Sequence, residues 1–190
     1  MFDVIYADPP WRFNNKNTGG SMKSGAEAKY KTMTVDDICS LPVDRISSDN
    51  SILFLWWVSS QPKEAIRVAE AWGFKIKTMS GFTWVKVTSK NKRWFGMGFY
   101  TRQGTENCLI ATKGNPNIKA RNIRNLIIAK SYVHSQKPEE ARGKIKRLCG
   151  DVDRIELFAR QTVPGWKSWG YEVTGDLSLL DYCKKVVSLK

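Results

Sequence analysis

Residues 4–11 of the chain read VIYADPPW, an apolar run followed by an acid, two prolines and an indole. The apolar run predicts a buried strand that ends at the carboxylate of Asp8. Pro9 and Pro10 each fix φ near about −65° and lack an N–H, and Pro10 also keeps Pro9 out of the helical region. We therefore expect a stiff, extended strand tip whose carbonyl groups are free to accept hydrogen bonds.

This strand tip suits a flat ligand that carries an amino group. The indole of Trp11 can stack on the ligand ring, while Asp8 and the carbonyl of Pro9 accept the two amino hydrogens. The structural alternative is that two prolines simply end a strand. The acid before them and the aromatic after them favour the ligand-binding interpretation.

The composition predicts a globular domain with a polyanion as its first partner to consider. The 190 residues fall within the range of one domain, 1–190, and 42% of them are hydrophobic, enough for a core. The chain has 31 Lys and Arg against 18 Asp and Glu, a net charge of +13. Eight Trp tilt the prediction toward nucleic acid, since bases stack on such rings. The alternative is a basic, well-solvated surface.

The cysteines and the single histidine argue against a structural zinc site. Cys39, Cys108, Cys149 and Cys183 are widely spaced, form no C-x-x-C pair and have only His134 beside them in the ligand inventory. This usage fits a reduced, cytoplasmic setting. No apolar run approaches the length of a membrane span, and the first residues enter a strand at once rather than forming a signal peptide.

Two loops are predicted, one directly after the strand tip and one in the middle of the chain. Residues 12–33 are rich in Asn and Gly without an apolar period, which predicts a mobile lid or clamp. Tyr30 in this loop either closes over a base or anchors the loop. Residues 88–104 interleave aromatics with cations such as Lys92 and Arg93, a pattern that suits base stacking and phosphate contacts. A solvated loop with a hydrophobic anchor is the alternative.

The remaining pattern alternates strands with helices. Strands are predicted at 51–58, 74–78, 82–87, 106–112 and 154–159, and helices begin near Thr34, Pro62, Pro138 and Asp176. We interpret Trp56 as a core residue. Such alternation argues for a mostly parallel sheet with helices on both faces and a ligand site beyond the carboxyl ends of the strands.

Nine short segments then carry a resemblance that spans nearly the whole chain. They are ADPPW at 7–11, YKTM at 30–33, LFLW at 53–56, WVK at 84–86, GTENCL at 104–109, KGNP at 113–116, HSQKP at 134–138, ELFAR at 156–160, and PGW at 164–166 before WG at 169–170. In this order they resemble the MT-A70 family of S-adenosylmethionine-dependent adenine methyltransferases. Any one segment is weak, but together they are highly specific.

The resemblance implies a fold and a cofactor. The fold is α/β, a Rossmann-like class I methyltransferase in permuted order, with the catalytic half before the cofactor half. It implies S-adenosylmethionine as cofactor and no metal, with these residues at the cofactor: Asp8, Lys137, Arg160, Thr162 and Glu172. Many relatives carry Asn where this chain has Tyr171, and Gln161 and Thr162 replace residues that are often charged or bulky.

The resemblance also implies a reaction, in which Asp8, Pro9, Pro10 and Trp11 are catalytic. A methyl group passes to the exocyclic 6-amino group of a flipped adenine in DNA, with short or relaxed sequence specificity, and S-adenosylhomocysteine is the product. The residues expected on the target side are Trp11, Tyr30, Glu106, Lys92 and Arg93. A bacterial or phage enzyme is expected, with a homodimer as one option. The alternatives are the same reaction on RNA, a non-catalytic nucleic-acid-binding subunit, and methylation of a protein glutamine.

Overall fold

The computed structural model describes residues 1–12, 32–131 and 136–187, and a seven-stranded sheet lies at its centre. The strands are β1 (Phe2–Ala7), β2 (Ser47–Trp57), β3 (Lys75–Val87), β4 (Thr105–Lys113), β5 (Leu126–Lys130), β6 (Arg154–Leu157) and β7 (Lys167–Trp169). Their spatial order is β5-β3-β4-β2-β1-β6-β7. Six of these described strands run in one direction, and β4 runs against both of its neighbours.

Helices cover both faces of this sheet. They are α1 (Val35–Cys39), α2 (Val43–Ile46), α3 (Pro62–Ala71), α4 (Glu139–Cys149), α5 (Tyr171–Thr174) and α6 (Leu179–Val187). Side chains of α1, α2 and α3 pack on the face that carries Ile5 and Ala7, while α4 packs on the face that carries Val4 and Tyr6. Strand β1 is therefore buried on both faces, as its unbroken apolar run predicts. The predicted Rossmann-like α/β fold is confirmed.

Local sequence signals set several helix ends. The Thr34 hydroxyl accepts the N–H of Asp37, and the Asp37 carboxylate accepts the backbone N–H of Thr34, a capping box that starts α1. Pro62 is the first residue of α3, where its missing N–H costs no helical hydrogen bond. Gly150 follows α4 with φ of 81°, a left-handed conformation that favours glycine.

Some elements differ from the sequence prediction. Strand β5, strand β7 and helix α5 were not predicted, because segments of three to five residues show too little periodicity. The segments 74–78 and 82–87 are one strand, β3, whose pairing with β4 shifts register between them. The prediction that Asp176 caps the last helix was wrong, because Ser178 accepts the N–H of Asp181 instead.

Residues 88–104 form the predicted loop, which connects β3 to β4. Most of the other predicted loop, 12–33, lies outside the described residues, and Tyr30 and His134 lie outside them too. Across the described ranges, every helix is too short or too polar to cross a membrane. All four cysteines are free thiols.

Candidate active site

A cavity of about 1000 Å³ opens at the edge of the sheet where the parallel strands end. Asp8 follows β1, Val58 follows β2 and Phe158 follows β6, and all three line this cavity. Glu106 lines it from the beginning of β4, which reaches the same edge because β4 runs in the opposite direction. The topology thus collects chemistry-bearing residues at one edge, as expected of an open α/β sheet.

The Asp-Pro-Pro-Trp tip is held by hydrogen bonds on every side. The indole N–H of Trp11 donates to the carbonyl of Trp56 over 3.1 Å, which fixes the ring as a buried part of the cavity wall. The prediction that the proline carbonyls are free was wrong. The carbonyl of Pro9 accepts the backbone N–H of Trp11 at 2.8 Å, and that of Pro10 accepts the N–H of Met33 at 3.0 Å. Each carbonyl keeps one further lone pair for a ligand.

Four side chains of alternating charge cross the cavity floor, and we call them the charged row: Lys86, Glu106, Lys137 and Asp8. The ammonium of Lys137 lies 2.6 Å from Asp8 Oδ2 and 3.2 Å from Glu106 Oε2. The other oxygen of Glu106 pairs with Lys86, whose ammonium also sits 4.9 Å from the centre of the Trp84 ring. The row is electrically neutral, so its burial leaves no uncompensated charge.

The charged row shifts the pKa of its members in different directions. Burial raises the pKa of Asp8 above its usual range, and Lys137 only partly offsets that rise. Burial acts in the same direction on Glu106, but the two ammonium groups outweigh it and the pKa of Glu106 is lowered. Burial alone would lower the pKa of Lys137, yet the carboxylates of Asp8 and Glu106 raise it. Lys137 is therefore a fixed cation, and Asp8 is the carboxylate most ready to take a proton.

The opposite rim of the cavity is built from the ends of β6 and β7. Arg160 lies 3.4 Å from Glu172, and both line the cavity. Phe158 has φ of 61°, a rare conformation for an aromatic residue and one that marks a constrained site. A Cβ at Gly170 would approach the carbonyl oxygen of Ala159 to 2.4 Å, so only glycine permits this close passage of two chain segments.

A buried ion pair between α4 and β6 also lines the cavity. Arg142 of α4 binds Glu156 of β6 through two hydrogen bonds of 2.8 Å, and it also contacts Glu139. Arg142 and Glu156 are both buried. Burial raises the pKa of Glu156, while Arg142 opposes that rise. This bidentate pair ties α4 to the strand that carries Arg160 at its end.

The structure brings most of the predicted site residues together. Asp8, Pro9, Pro10, Trp11, Glu106, Lys137, Arg160 and Glu172 all line the same cavity. Thr162 is exposed and lies outside the cavity lining, where Gln161 takes a place, so the assignment of Thr162 to the cofactor stays a prediction. Lys92 and Arg93 lie on the 88–104 loop away from the lining, and Tyr30 is not described. Trp56 is buried, as predicted, and also forms part of the cavity wall.

Sequence reasoning missed several residues of the site. Lys86 stands in a quoted segment, WVK, and a search for cations near the predicted acids could have found it. The pairing of Arg142 with Glu156 joins α4 to the strand that follows it, 14 positions on, and no helical or strand spacing reveals it. The backbone conformation of Phe158 likewise has no signal in the sequence. Within the described ranges, no three His, Cys, Asp or Glu side chains group in a way that could hold a metal ion.

The chain is similar to known methyltransferases along nearly its whole length. A family model described as MT-A70 matches residues 2–172. A type II methyltransferase, M.MunI of a Mycoplasma species, is 35% identical over 188 residues, which cover 90% of this chain and 78% of that protein. The N(6)-adenosine-methyltransferase catalytic subunit METTL3 of Homo sapiens is 30% identical, over 95% of this chain and 29% of its own length.

An N(6)-adenosine-methyltransferase MT-A70-like protein of Arabidopsis thaliana is 29% identical, over 92% of this chain. The chain spans only 24% of that protein, so it corresponds to one part of such long relatives. The family model, the nine sequence segments in the order of the family and the cavity beside Asp-Pro-Pro-Trp agree with one another. This chain belongs to the MT-A70 family of methyltransferases.

Proposed function

We propose that this protein transfers the methyl group of S-adenosylmethionine to the exocyclic 6-amino group of adenine in DNA. The observation that carries this proposal is the Asp8-Pro9-Pro10-Trp11 tip, which faces a cavity of about 1000 Å³ in a chain of the MT-A70 family. A cavity of this size falls at the upper end of the range for small-molecule sites, with room for more than one ligand group.

The residues around the cavity fit the chemical groups of the cofactor. S-adenosylmethionine joins an amino acid, which carries both charges, to a nucleoside, and it supplies an activated methyl group on a sulfonium. Lys137 and Asp8 offer one group of each charge, adjacent and mostly shielded from water, for the amino-acid end. Arg160 and Glu172, on the rim next to the constrained backbone of Phe158, offer donors and acceptors for the nucleoside end.

On the target side, the tip would hold the adenine amine. Asp8 and the remaining lone pair of the Pro9 carbonyl accept its two protons, which favours a pyramidal nitrogen with an available electron pair. Trp11 forms a rigid apolar wall, because its indole is anchored to the carbonyl of Trp56. Positioning of the amine against the methyl group then supplies much of the rate enhancement.

The electrostatics of the charged row favour Asp8 as the acceptor of the amine proton. The nitrogen–carbon bond forms as the carbon–sulfur bond breaks, so the amine must lose one proton for the product to be neutral. Lys137 holds its own protons firmly because two carboxylates flank it. Asp8, whose pKa is raised by burial, is the acceptor within reach, and water can then carry the proton away.

The charge of the chain favours a nucleic acid as the substrate, and its similarity to M.MunI is the ground for choosing DNA. A net charge of +13 and the cations of the 88–104 loop supply phosphate affinity that falls with salt. The chain covers 78% of M.MunI, a type II methyltransferase, but only 29% of the human METTL3 catalytic subunit. An adenine inside a duplex must be extruded to reach the cavity. The described loop that reaches the cavity, residues 88–104, is much smaller than a separate recognition domain, which suits a short or relaxed recognition sequence.

RNA is the second candidate substrate. The observation that favours it is 30% identity to the human METTL3 catalytic subunit, whose name specifies adenosine. Nothing in the cavity itself distinguishes the two polymers, since the adenine base is common to both. A comparison of substrates therefore has to decide.

The test offers labelled S-adenosylmethionine with double-stranded DNA, single-stranded DNA and RNA, followed by digestion to nucleosides. We expect label in N6-methyladenine from DNA. The variant Asp8→Ala should lose transfer by on the order of 100-fold or more, because it lacks the proton acceptor. Asp49→Ala is the matched control, since Asp49 is an exposed acid near the start of β2, at the end of that strand opposite the cavity. No transfer from wild-type protein, or full activity of Asp8→Ala, would refute the proposal.

A further inference from the structure

The 88–104 loop ends in a small hairpin, residues 96–103, which we call the hairpin tip. Gly96 and Gln103 exchange two backbone hydrogen bonds, of 3.0 and 3.2 Å, at its base. The side-chain amide of Gln103 also donates to Ser59 Oγ over 2.9 Å, which ties the base to the end of β2. The hairpin tip is therefore a defined shape rather than a loose connection.

The glycines of the hairpin tip support this shape. A Cβ at Gly96 would approach the carbonyl oxygen of Gln103 to 2.6 Å, and one at Gly98 would approach that of Thr101 to 2.5 Å. Both positions therefore need glycine for the two arms to come so close.

The side chains at the end of the hairpin tip are large, apolar and exposed. Phe99 is 63% exposed and Tyr100 is fully exposed, at 109%. Tyr100 also has φ of 59°, a sparsely populated backbone conformation for a residue with a side chain. Two neighbouring aromatic rings displayed in this way indicate a binding function rather than packing.

The hairpin tip stands at the mouth of the candidate active site. Phe99 lines the same cavity as Asp8 and Trp11, together with Gly98. Tyr100 follows Phe99 directly and is not part of that lining. Phe99 is therefore exposed to solvent and part of the cavity wall at the same time, which places it at the cavity mouth.

The charges around the hairpin tip select its partner. The sequence from 88 to 104 contains four cations, Lys90, Lys92, Arg93 and Arg102, and no acid. Arg102 lies 5.0 Å from the centre of the Phe95 ring, so one cation already sits against an aromatic face. A second copy of this chain, also at +13, would be repelled, whereas nucleic acid presents phosphates to the cations and bases to the rings.

We propose that Phe99 and Tyr100 enter the base stack of a DNA duplex and occupy the space that the extruded adenine leaves. This inference rests on the proposed function and adds a division of labour to it. Asp8 and Trp11 act on the adenine once it is in the cavity, while the hairpin tip stabilises the duplex from which it came. Apolar wedges that unstack a base step are a known solution to this energetic problem.

The proposal predicts a loss that depends on the form of the DNA. The double variant Phe99→Ala/Tyr100→Ala should lose about tenfold or more in kcat/KM on a duplex, because the loss of stacking on an aromatic ring has an effect of that size. Tyr100→Ala alone, which leaves the cavity lining intact, should also lose activity on the duplex. On the same strand without its complement, its kcat/KM should change by no more than about twofold, since no stack has to be opened. A mismatch opposite the target adenine should restore part of the lost activity.

Phe95→Ala is the matched control, because Phe95 is an exposed aromatic on the same loop that does not line the cavity. It should leave the duplex to single-strand ratio of kcat/KM unchanged, and Phe99→Tyr should keep most of the duplex activity. Equal losses on both forms of DNA, or no loss on either, would overturn the wedge and leave the proposed function standing. Wild-type protein that methylates neither form would overturn both proposals.

The remaining possibility is that the hairpin tip binds a second copy of this chain, and sedimentation of the wild-type protein and of the double variant tests it. We expect the same mass for both proteins. If the wild-type protein is a dimer that the double variant converts to a monomer, the hairpin tip is a protein interface and the wedge proposal is overturned.

Discussion

Replacing Arg142 by Met should make the stability of this protein depend strongly on pH. Arg142 and Glu156 form a bidentate pair inside the protein, and the Glu156 side chain is only 11% exposed. Met fills much of the volume of Arg but offers no charge or donor. The substitution therefore leaves a carboxylate buried without its main partner.

The expected cost at neutral pH is about 3–5 kcal/mol of unfolding free energy, the usual range for breaking a buried ion pair from one side. Arg154→Met is the matched control. Arg154 is as buried as Arg142, but its partner Asp151 is 97% exposed and can be solvated when the cation is lost. That substitution should cost only about 1 kcal/mol.

The pH dependence has a definite sign. Burial already raises the pKa of Glu156, and loss of Arg142 removes the cation that holds it down. A carboxyl group whose pKa is higher in the folded than in the unfolded protein favours folding when protonated. The variant is therefore closest to wild type below about pH 4, the ordinary carboxyl range, and loses stability as pH rises through the raised pKa of Glu156. Asp8 and Glu139, which also act on Glu156, stay in place.

Urea denaturation between pH 4 and pH 8 measures this dependence for both variants. The double variant Arg142→Met/Glu156→Leu should recover most of the stability at neutral pH, because no buried charge remains. A deficit for Arg142→Met that is the same at every pH would refute the reasoning. So would an equal cost for Arg154→Met, since it would mean that the burial of the partner carboxylate is irrelevant.

Three further predictions concern the candidate active site. Lys86→Met should move the acid limb of the pH profile of kcat/KM to higher pH. Without Lys86, Glu106 would attract the Lys137 ammonium more strongly and draw it away from Asp8, whose pKa would then rise; an unchanged acid limb would contradict this. Gly170→Ala should weaken S-adenosylmethionine binding and lower the Tm, since its Cβ would come within 2.4 Å of the backbone after β6. Gly143→Ala, whose Cβ would meet nothing within 4 Å, should instead raise the unfolding free energy by about 0.4–1 kcal/mol. Calorimetry measures both variants, and equal behaviour would contradict the close approach at Gly170. The logarithm of the DNA affinity should fall linearly with the logarithm of salt concentration, with the Asp8→Ala variant on the same slope as wild type, and a salt-independent affinity would contradict a phosphate-driven interface.

The sequence was most informative where one residue determines a local geometry. The strand tip at Asp8, the capping box at Thr34 and the first helical turn at Pro62 were all predicted, because each depends on neighbours within a few positions. The reversed direction of β4 was not predicted. It arises from long-range pairing with β2 and β3, and no local pattern encodes it.

The same limit applies to the candidate site. The resemblance placed Lys137 near the cofactor, but the charged row that joins it to Lys86 exists only after four elements meet. The prediction of free carbonyls at Pro9 and Pro10 was wrong, because the first accepts the N–H of Trp11 and the second accepts the N–H of Met33, a residue more than twenty positions away. Identity of a side chain can be read locally, whereas its partners depend on the complete fold.

The reversed strand β4 has a consequence for how such enzymes can diversify. In a fully parallel sheet, the connection after β3 would have to cross a face of the sheet and return at the far edge. Because β4 turns back beside β3, that connection is a simple excursion above the catalytic edge and begins and ends at fixed points. Its length and composition can therefore change without moving the core, so, under the proposed function, the choice of target can change through this segment while the reaction centre stays the same.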